Sequence, residues 1–220
     1  SGGYDMRFAH ALKPNKEGQQ PYSFLFLDTE TKTVGATAAS LPQEMDLWVA
    51  CYSRKQKVAD PYTDQWYDGK DSPSLLTLVE SLATSKRPLN IVASNIYFDL
   101  AVSKLYNLLI EKDWKLGRHY CKGKVFIMTL SRGSKKINLY NLQNWFDAPI
   151  KWIGDLIGKP KLECDIPNAS PTDLLTYSRR DVEILHDIML QYLIFLKKND
   201  LGNFQRTKAS QAFNACRHRC

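Results

Sequence analysis

The sequence has no apolar run near the roughly 18–20 residues that a membrane-crossing helix needs. No signal peptide is visible either, so no membrane partner is expected. It also has no Cys-x-x-Cys pair. Its five cysteines (51, 121, 164, 216 and 220) are scattered and odd in number. That pattern argues against a disulfide framework and for free thiols in a reducing, intracellular compartment: cytoplasm or nucleoid, a virus-infected cell, or an organelle. Cys216-Arg217-His218-Arg219-Cys220 carries metal-capable side chains but lacks a second ligand pair in range for a zinc site. Internal repeats and low-complexity tracts are absent, which excludes a solenoid or a disordered chain. Acidic residues are in deficit, 23 Asp and Glu against 30 Lys and Arg, for a net charge of +7. A basic excess favours an anionic partner such as nucleic acid, although a generic surface also tolerates it.

With 44% hydrophobic and 24% charged residues the chain can bury a full core, as one large domain or two small ones. The opening Ser1-Gly2-Gly3 resembles an expression-tag remnant and is set aside. Residues 4–21 are polar and read as a loose N-terminal arm. Residues 22–27 are aromatic and aliphatic and read as a buried strand. A small-residue loop over 32–42, a second strand over 47–52, a possible third beginning at Lys57-Val58, and a loop over 60–71 follow. Ser72-Pro73 reads as an N-cap followed by proline at the first helical position. A strand at 89–93 leads into a helix from about 99 to 112. Strands at 125–130 and 137–140 flank a basic hairpin at 132–136, and a short helix lies near 149–157. Ser170-Pro171-Thr172-Asp173 opens the longest helix, to about Lys198. Residues 201–220 read as a basic, polar tail. Strands followed by helix–strand alternation define an α/β layout.

Asp28 and Glu30 close the first apolar run, and positions i and i+2 of a strand share a face. Two hard oxygen ligands side by side suit Mg²⁺ or Mn²⁺. An Asp-x-Glu alone is more often an exposed strand end. Asp99 falls at a strand-to-helix junction, where clefts form in α/β sheets, though helix capping is a frequent use of Asp. Tyr177 and Asp181 share a face of the long helix four residues apart, with a surface ion pair to Arg179 or Arg180 as the plain alternative for Asp181. Gathering Asp28, Glu30, Asp99 and Asp181 would be repulsive unless cations neutralise them. Two Mg²⁺ or Mn²⁺ ions about 3.5–4 Å apart would explain the set and would suit phosphodiester hydrolysis.

With those residues in view, the chain resembles the DEDDy class of 3′–5′ exonucleases, which has an RNase H-like fold: a mixed β-sheet flanked by α-helices. The three motifs stand as Asp28-Thr29-Glu30, Asn95-Ile96-Tyr97-Phe98-Asp99 and Tyr177-Ser178-Arg179-Arg180-Asp181. Thr176 stands where the histidine subclass has His. The second motif is similar to that of family B DNA polymerases. Pro149–Leu156 and Thr207–Asn214 are similar to segments of the protein-primed polymerases of phages, linear plasmids and organelles. The likeness spans about residues 22–215, without the polymerase palm and fingers. It implies an exonuclease domain over 22–200 that is either the proofreading domain of such a polymerase or a stand-alone relative.

The resemblance implies a role for each residue. Asp28, Glu30 and Asp181 hold the catalytic metal, Asp28 bridges to a second, and Asp99 supports that second site. Tyr177 positions the attacking water. A lysine before the third motif contacts the scissile phosphate; Lys161 is the better match and Lys159 its rival. Thr31, Asn95 and Phe98 contact the single strand, and the basic residues Arg132, Lys135 and Lys136 would track its backbone. The expected partner is a single-stranded DNA 3′ end, with a polymerase domain or another replication protein as a possible second partner. An RNA-trimming exoribonuclease of RNase D type and a catalytically silent binding or docking module remain open alternatives.

Overall fold

The apolar run that begins at Ser23 forms β1 (Ser23–Thr33), and a computed structural model describes it together with the rest of residues 15–33, 43–57 and 59–219. β1 is longer than the apolar run because it has two kinds of neighbour. Its parallel pairing with β4 (Leu89–Ala93) ends at Leu27↔Ala93. Antiparallel pairing with β2 (Gln43–Arg54) continues through both acids to Thr33, across an irregularity between Glu30 and Thr31. Asp28 and Glu30 therefore lie within a strand, just beyond the point where its parallel neighbour turns away.

β3 (Thr63–Gly69), β5 (Lys115–Lys122), β6 (Val125–Arg132) and β7 (Lys135–Asn141) complete a seven-stranded sheet of order β3-β2-β1-β4-β7-β6-β5. The β1–β4 and β4–β7 pairs are parallel and the others antiparallel. This mixed α/β architecture is compatible with the RNase H-like fold. On β1, Leu25 and Leu27 face a core shared with α1 (Ser72–Leu82), α2 (Ile96–Ser103) and α3 (Leu105–Glu111). Phe24 and Phe26 face the opposite core, which includes Ile153 of α4 (Ile150–Leu156) and Val182, Leu185 and Met189 of α5 (Pro171–Lys198). Strand alternation then puts Asp28 and Glu30 on the α5 side.

Several expected elements differ. The third strand is β3, inside the stretch read as a loop; Val58 lies outside the described residues, as does most of the 32–42 loop. β3 and β5 form the two sheet edges and carry mostly exposed residues, so they lack the apolar run that marks a strand in sequence. Asp71, not Ser72, caps α1: its carboxylate accepts from the Ser74 N–H at 2.7 Å. The helix expected over 99–112 starts at Ile96 and splits at Lys104, which takes a left-handed conformation (φ 51°). α5 matches its cap signal, with the Ser170 hydroxyl accepting from the Asp173 N–H at 3.1 Å.

The polar tail forms α6 (Lys208–Arg219). Residues 15–21 have no regular structure of their own, and the first two meet α6. The Asn15 N–H donates to the Arg217 carbonyl at 3.1 Å, and Lys16 to the His218 carbonyl at 2.9 Å. Both ring nitrogens of His218 are engaged, with the Asn15 carbonyl and with Asp200. That leaves no lone pair for the zinc site weighed at the Cys216–Cys220 segment; Cys220 itself lies outside the described residues. Among the described residues no helix is long and apolar enough to cross a membrane.

Candidate active site

Three elements deliver the four carboxylates. β1 carries Asp28 and Glu30 on its α5 face, and α5 places Asp181 and Ser178, one turn apart, against them. The Ser178 hydroxyl donates to Asp28 Oδ2 at 2.8 Å. From the other face of β1, the buried Thr29 hydroxyl donates to Asp99 Oδ1 at 2.8 Å. Asp99 sits inside the first turn of α2 rather than capping it, its N–H donating to the Asn95 carbonyl at 3.1 Å. Asp99 and Asp181 are 3% and 4% exposed. Such burial is unusual for an aspartate without a strong partner.

The electrostatics follow from this crowding. Burial is the largest cause holding the Asp28 carboxyl well above the usual range, and Asp99, Glu30 and Asp181 add repulsion. Burial and the Asp181 charge push Glu30 up to about 7. Burial raises Asp99 to about 7, against the hydrogen bond from Thr29. Burial also raises Asp181, against the ammonium of Lys161. At neutral pH the folded chain therefore holds a cluster that binds protons, or other cations, more readily than isolated carboxylates do.

Lys161 is the cation already there. Its ammonium pairs with Asp181 Oδ2 and lies 4.6 Å from the Tyr177 ring centroid. Burial lowers the Lys161 pKa, but its hydrogen bonds to Asp181 and Tyr177 outweigh that and raise it. Burial likewise raises the Tyr177 phenol, which stays protonated at neutral pH. Lys159 points elsewhere, pairing with Asp187 at 2.6 Å. The lysine at the acid cluster is thus Lys161. A close approach positions it: a Cβ on Gly154 would sit 2.5 Å from the Lys159 carbonyl and 2.8 Å from Ile184 Cδ1, so glycine lets α4 and the 159–161 turn press on α5.

One carboxylate oxygen of the cluster is buried without a hydrogen-bond partner. Asp181 Oδ1 is fully buried and makes no hydrogen bond. A carboxylate oxygen held dry without a donor fits a cation ligand. The donors Asp28, Glu30, Asp99 and Asp181 are all hard oxygens, the set expected for Mg²⁺ or Mn²⁺. The four acids are spread more widely than a closed ligand shell. The trio whose ligating atoms all lie within 4.8 Å of one another is a different one: Cys51, Asp64 and His186.

The expected strand-contacting residues are less uniformly placed. Thr31 is half-buried and lines a cleft of about 490 Å³ with Lys32, Lys70 and Pro171. A second cleft of about 410 Å³, lined by Leu162, Cys164, Thr176 and Tyr177, adjoins it at Ala169. Asn95 is exposed at the start of α2, and Phe98 is half-buried. The basic hairpin stands apart from the acids. The start of β7 is level with Leu89 (Leu89↔Ile137), whereas the acids lie beyond Ala93. At about 3.3 Å per residue the hairpin is roughly 20 Å from them along the sheet. Arg132 is also committed, to Glu80 at 2.7 Å and to the Lys112 carbonyl at 2.9 Å.

Sequence reasoning missed Thr29 and Ser178. Ser178 had a signal, three residues before Asp181 on the same helical face. Thr29 had none, since alternation points it away from its neighbours Asp28 and Glu30. The chain matches no protein-family model, no curated protein and no solved structure.

Proposed function

We propose that this chain is a metal-dependent 3′–5′ exonuclease of the DEDDy kind, cleaving phosphodiester bonds at the 3′ end of single-stranded DNA. The observation that carries the proposal is the mutual repulsion that couples Asp28, Glu30, Asp99 and Asp181, one of whose oxygens, Asp181 Oδ1, is buried without a partner, with Lys161 and Tyr177 beside Asp181. Asp28, Glu30 and Asp181 would hold one divalent ion, with Asp28 shared and Asp99 supporting a second. When bound, Mg²⁺ or Mn²⁺ supplies Lewis acidity for water and for the leaving oxygen.

The protein's own groups do the rest. Tyr177 keeps its proton and offers a hydroxyl to orient an incoming water. Lys161 keeps its charge and offers an ammonium to a phosphate oxygen, held in place by Asp181. Thr29 and Ser178 fix the rotamers of Asp99 and Asp28. Lys32 and Lys70, in the cleft beside Thr31, stand where a strand backbone would need cations, in place of the distant hairpin. Phe98 and Asn95 would contact the terminal nucleotides. A polymerase domain in the same protein or in a replication partner is part of this proposal.

The test is digestion of a 5′-labelled single strand with Mg²⁺ or Mn²⁺. Stepwise 3′ shortening that releases nucleoside monophosphates is expected, and Asp28→Ala with Glu30→Ala should abolish it while single-strand binding persists. Laddering that survives the double change, or none in the unaltered protein, removes the proposal; the second outcome leaves a silent binding module. Faster shortening of RNA than of DNA would move the assignment to an RNA-trimming enzyme.

A further inference from the structure

A second convergence lies on the α5 side of the sheet, toward its β3 edge. Cys51 of β2, Asp64 of β3 and His186 of α5 bring their ligating atoms within 4.8 Å of one another. The register explains how. Cys51 and Ser53 share a face of β2, Asp64 pairs opposite Ser53, and α5 crosses above. His186 Nδ1 lies 2.7 Å from Asp187 Oδ1, and Asp187 is anchored by Lys159. In the tautomer with its proton on Nδ1, toward Asp187, the neutral imidazole presents Nε2 as a lone pair. That Nε2 is fully buried and makes no hydrogen bond. The nearest charged atom is Asp64 Oδ2 at 3.1 Å, itself an acceptor. The Ser53 hydroxyl donates to the other oxygen, Oδ1, at 2.6 Å, which leaves Oδ2 turned to the histidine. With that tautomer two lone pairs face one another beside the buried sulfur of Cys51, an arrangement that a cation would satisfy.

We propose that Cys51, Asp64 and His186 bind a zinc ion that ties the β2–β3 edge to α5. A thiolate with an imidazole selects Zn²⁺ over Mg²⁺. One thiolate and one carboxylate neutralise a divalent ion at this half-buried site. Zinc bonds of about 2.0–2.3 Å in a tetrahedron separate ligand atoms by roughly 3.3–3.8 Å. The present spacing needs only side-chain adjustment to reach that. The outward side of Asp64 leaves the fourth position to water. Without metal, burial pushes the Cys51 thiol up to about 12. Binding forms the Zn–S bond, breaks S–H and passes the proton to solvent. Asp187 and Ser53 orient the ligands from behind. The site shares no ligand with the carboxylate cluster and stands independently of the exonuclease reading.

The test uses the full chain, freed of metal with a chelator and titrated with Co²⁺ under excess Mg²⁺. One equivalent should produce thiolate-to-cobalt charge-transfer absorption in the near ultraviolet, and one equivalent of Zn²⁺ should abolish it. Zn²⁺ at about a hundredfold over its Kd should raise Tm by roughly 5 °C or more. Cys51→Ser should lose the band, and Asp187→Asn should weaken binding about 10–100-fold. Asp28→Asn with Glu30→Gln, and Cys216→Ser, should leave it intact. If Cys51→Ser fails to fold, His186→Gln and the exposed Asp64→Asn decide: each must weaken Co²⁺ binding at least tenfold. Absence of the band and of the Tm shift in the unaltered protein overturns the proposal. A band that persists in Cys51→Ser overturns it equally.

Discussion

At the scale of single residues, the acid site depends on two hydroxyls, Thr29 and Ser178, that stand inside the motifs without a role assigned to them. Thr29 gives Asp99 its hydrogen bond in a buried setting, and that bond lowers an Asp99 pKa which burial has raised to about 7. Thr29→Val keeps the shape and removes the donor. The Asp99 pKa should then rise further, and the acid limb of the cleavage pH profile should move to higher pH, since a protonated carboxyl is a poor metal ligand. Leaving a buried acceptor unpaired should also cost about 1–3 kcal/mol in denaturant unfolding. An unchanged pH profile with only the stability loss would make Thr29 structural. The acids themselves were legible in sequence because i, i+2 and i, i+4 spacings are local geometry. Their positioning partners were not, because Thr29 to Asp99 and Ser178 to Asp28 are contacts across 70 and 150 residues of chain.

At the scale of elements, Lys104 is the clearest case of local preference yielding to packing. Residues 99–112 read as one helix, yet Ile96, Leu105 and Leu109 are all buried in one core, and the chain breaks at Lys104 to place α2 and α3 separately. A left-handed lysine costs about 1–2 kcal/mol that glycine does not incur. Lys104→Gly should therefore raise unfolding free energy by roughly 0.5–1 kcal/mol, less than the full difference because glycine also frees the unfolded chain. A loss of stability would show that the lysine side chain compensates the strain. The same contest explains what else was readable. β4 was found residue for residue because it is buried on both faces and flanked by breakers. α5 was found because its Ser-Pro cap and apolar stripe agree. β3, β5 and α6 expose most of their surface, so composition marked β3 as loop and α6 as tail and gave no strand signal for β5. The 132–136 hairpin was found as a turn, but its distance from the acids was not legible, since the parallel β4–β7 register that carries it away from them is a tertiary fact.

At the scale of the whole molecule, stability and the acid site oppose one another. Glu30 and Asp99 titrate near 7 when folded, against about 4 when unfolded, and Asp28 is raised as well. Between those values the folded chain binds more protons than the unfolded one, so stability is full below about pH 4 and is lost as pH rises through 7. Asp147 and Asp187, whose pKa values are lowered, contribute a constant benefit from pH 5 to 8. His218, raised by its bonds to Asp200 and Asn15, loses its contribution in the same direction as the acids. A comparison that holds His218 fixed isolates the cluster. In chelator, Tm of the unaltered protein should fall by roughly 5–10 °C between pH 5 and pH 8. Glu30→Gln with Asp28→Asn should flatten most of that fall, the residue being the share of His218 and Asp99. Mg²⁺ should restore Tm at pH 8 and do little at pH 5, where protons already neutralise the carboxylates. That reciprocity between protons and divalent ions would mark the four acids as one cation-binding unit. Equal Mg²⁺ effects at both pH values would place the ion elsewhere on the molecule.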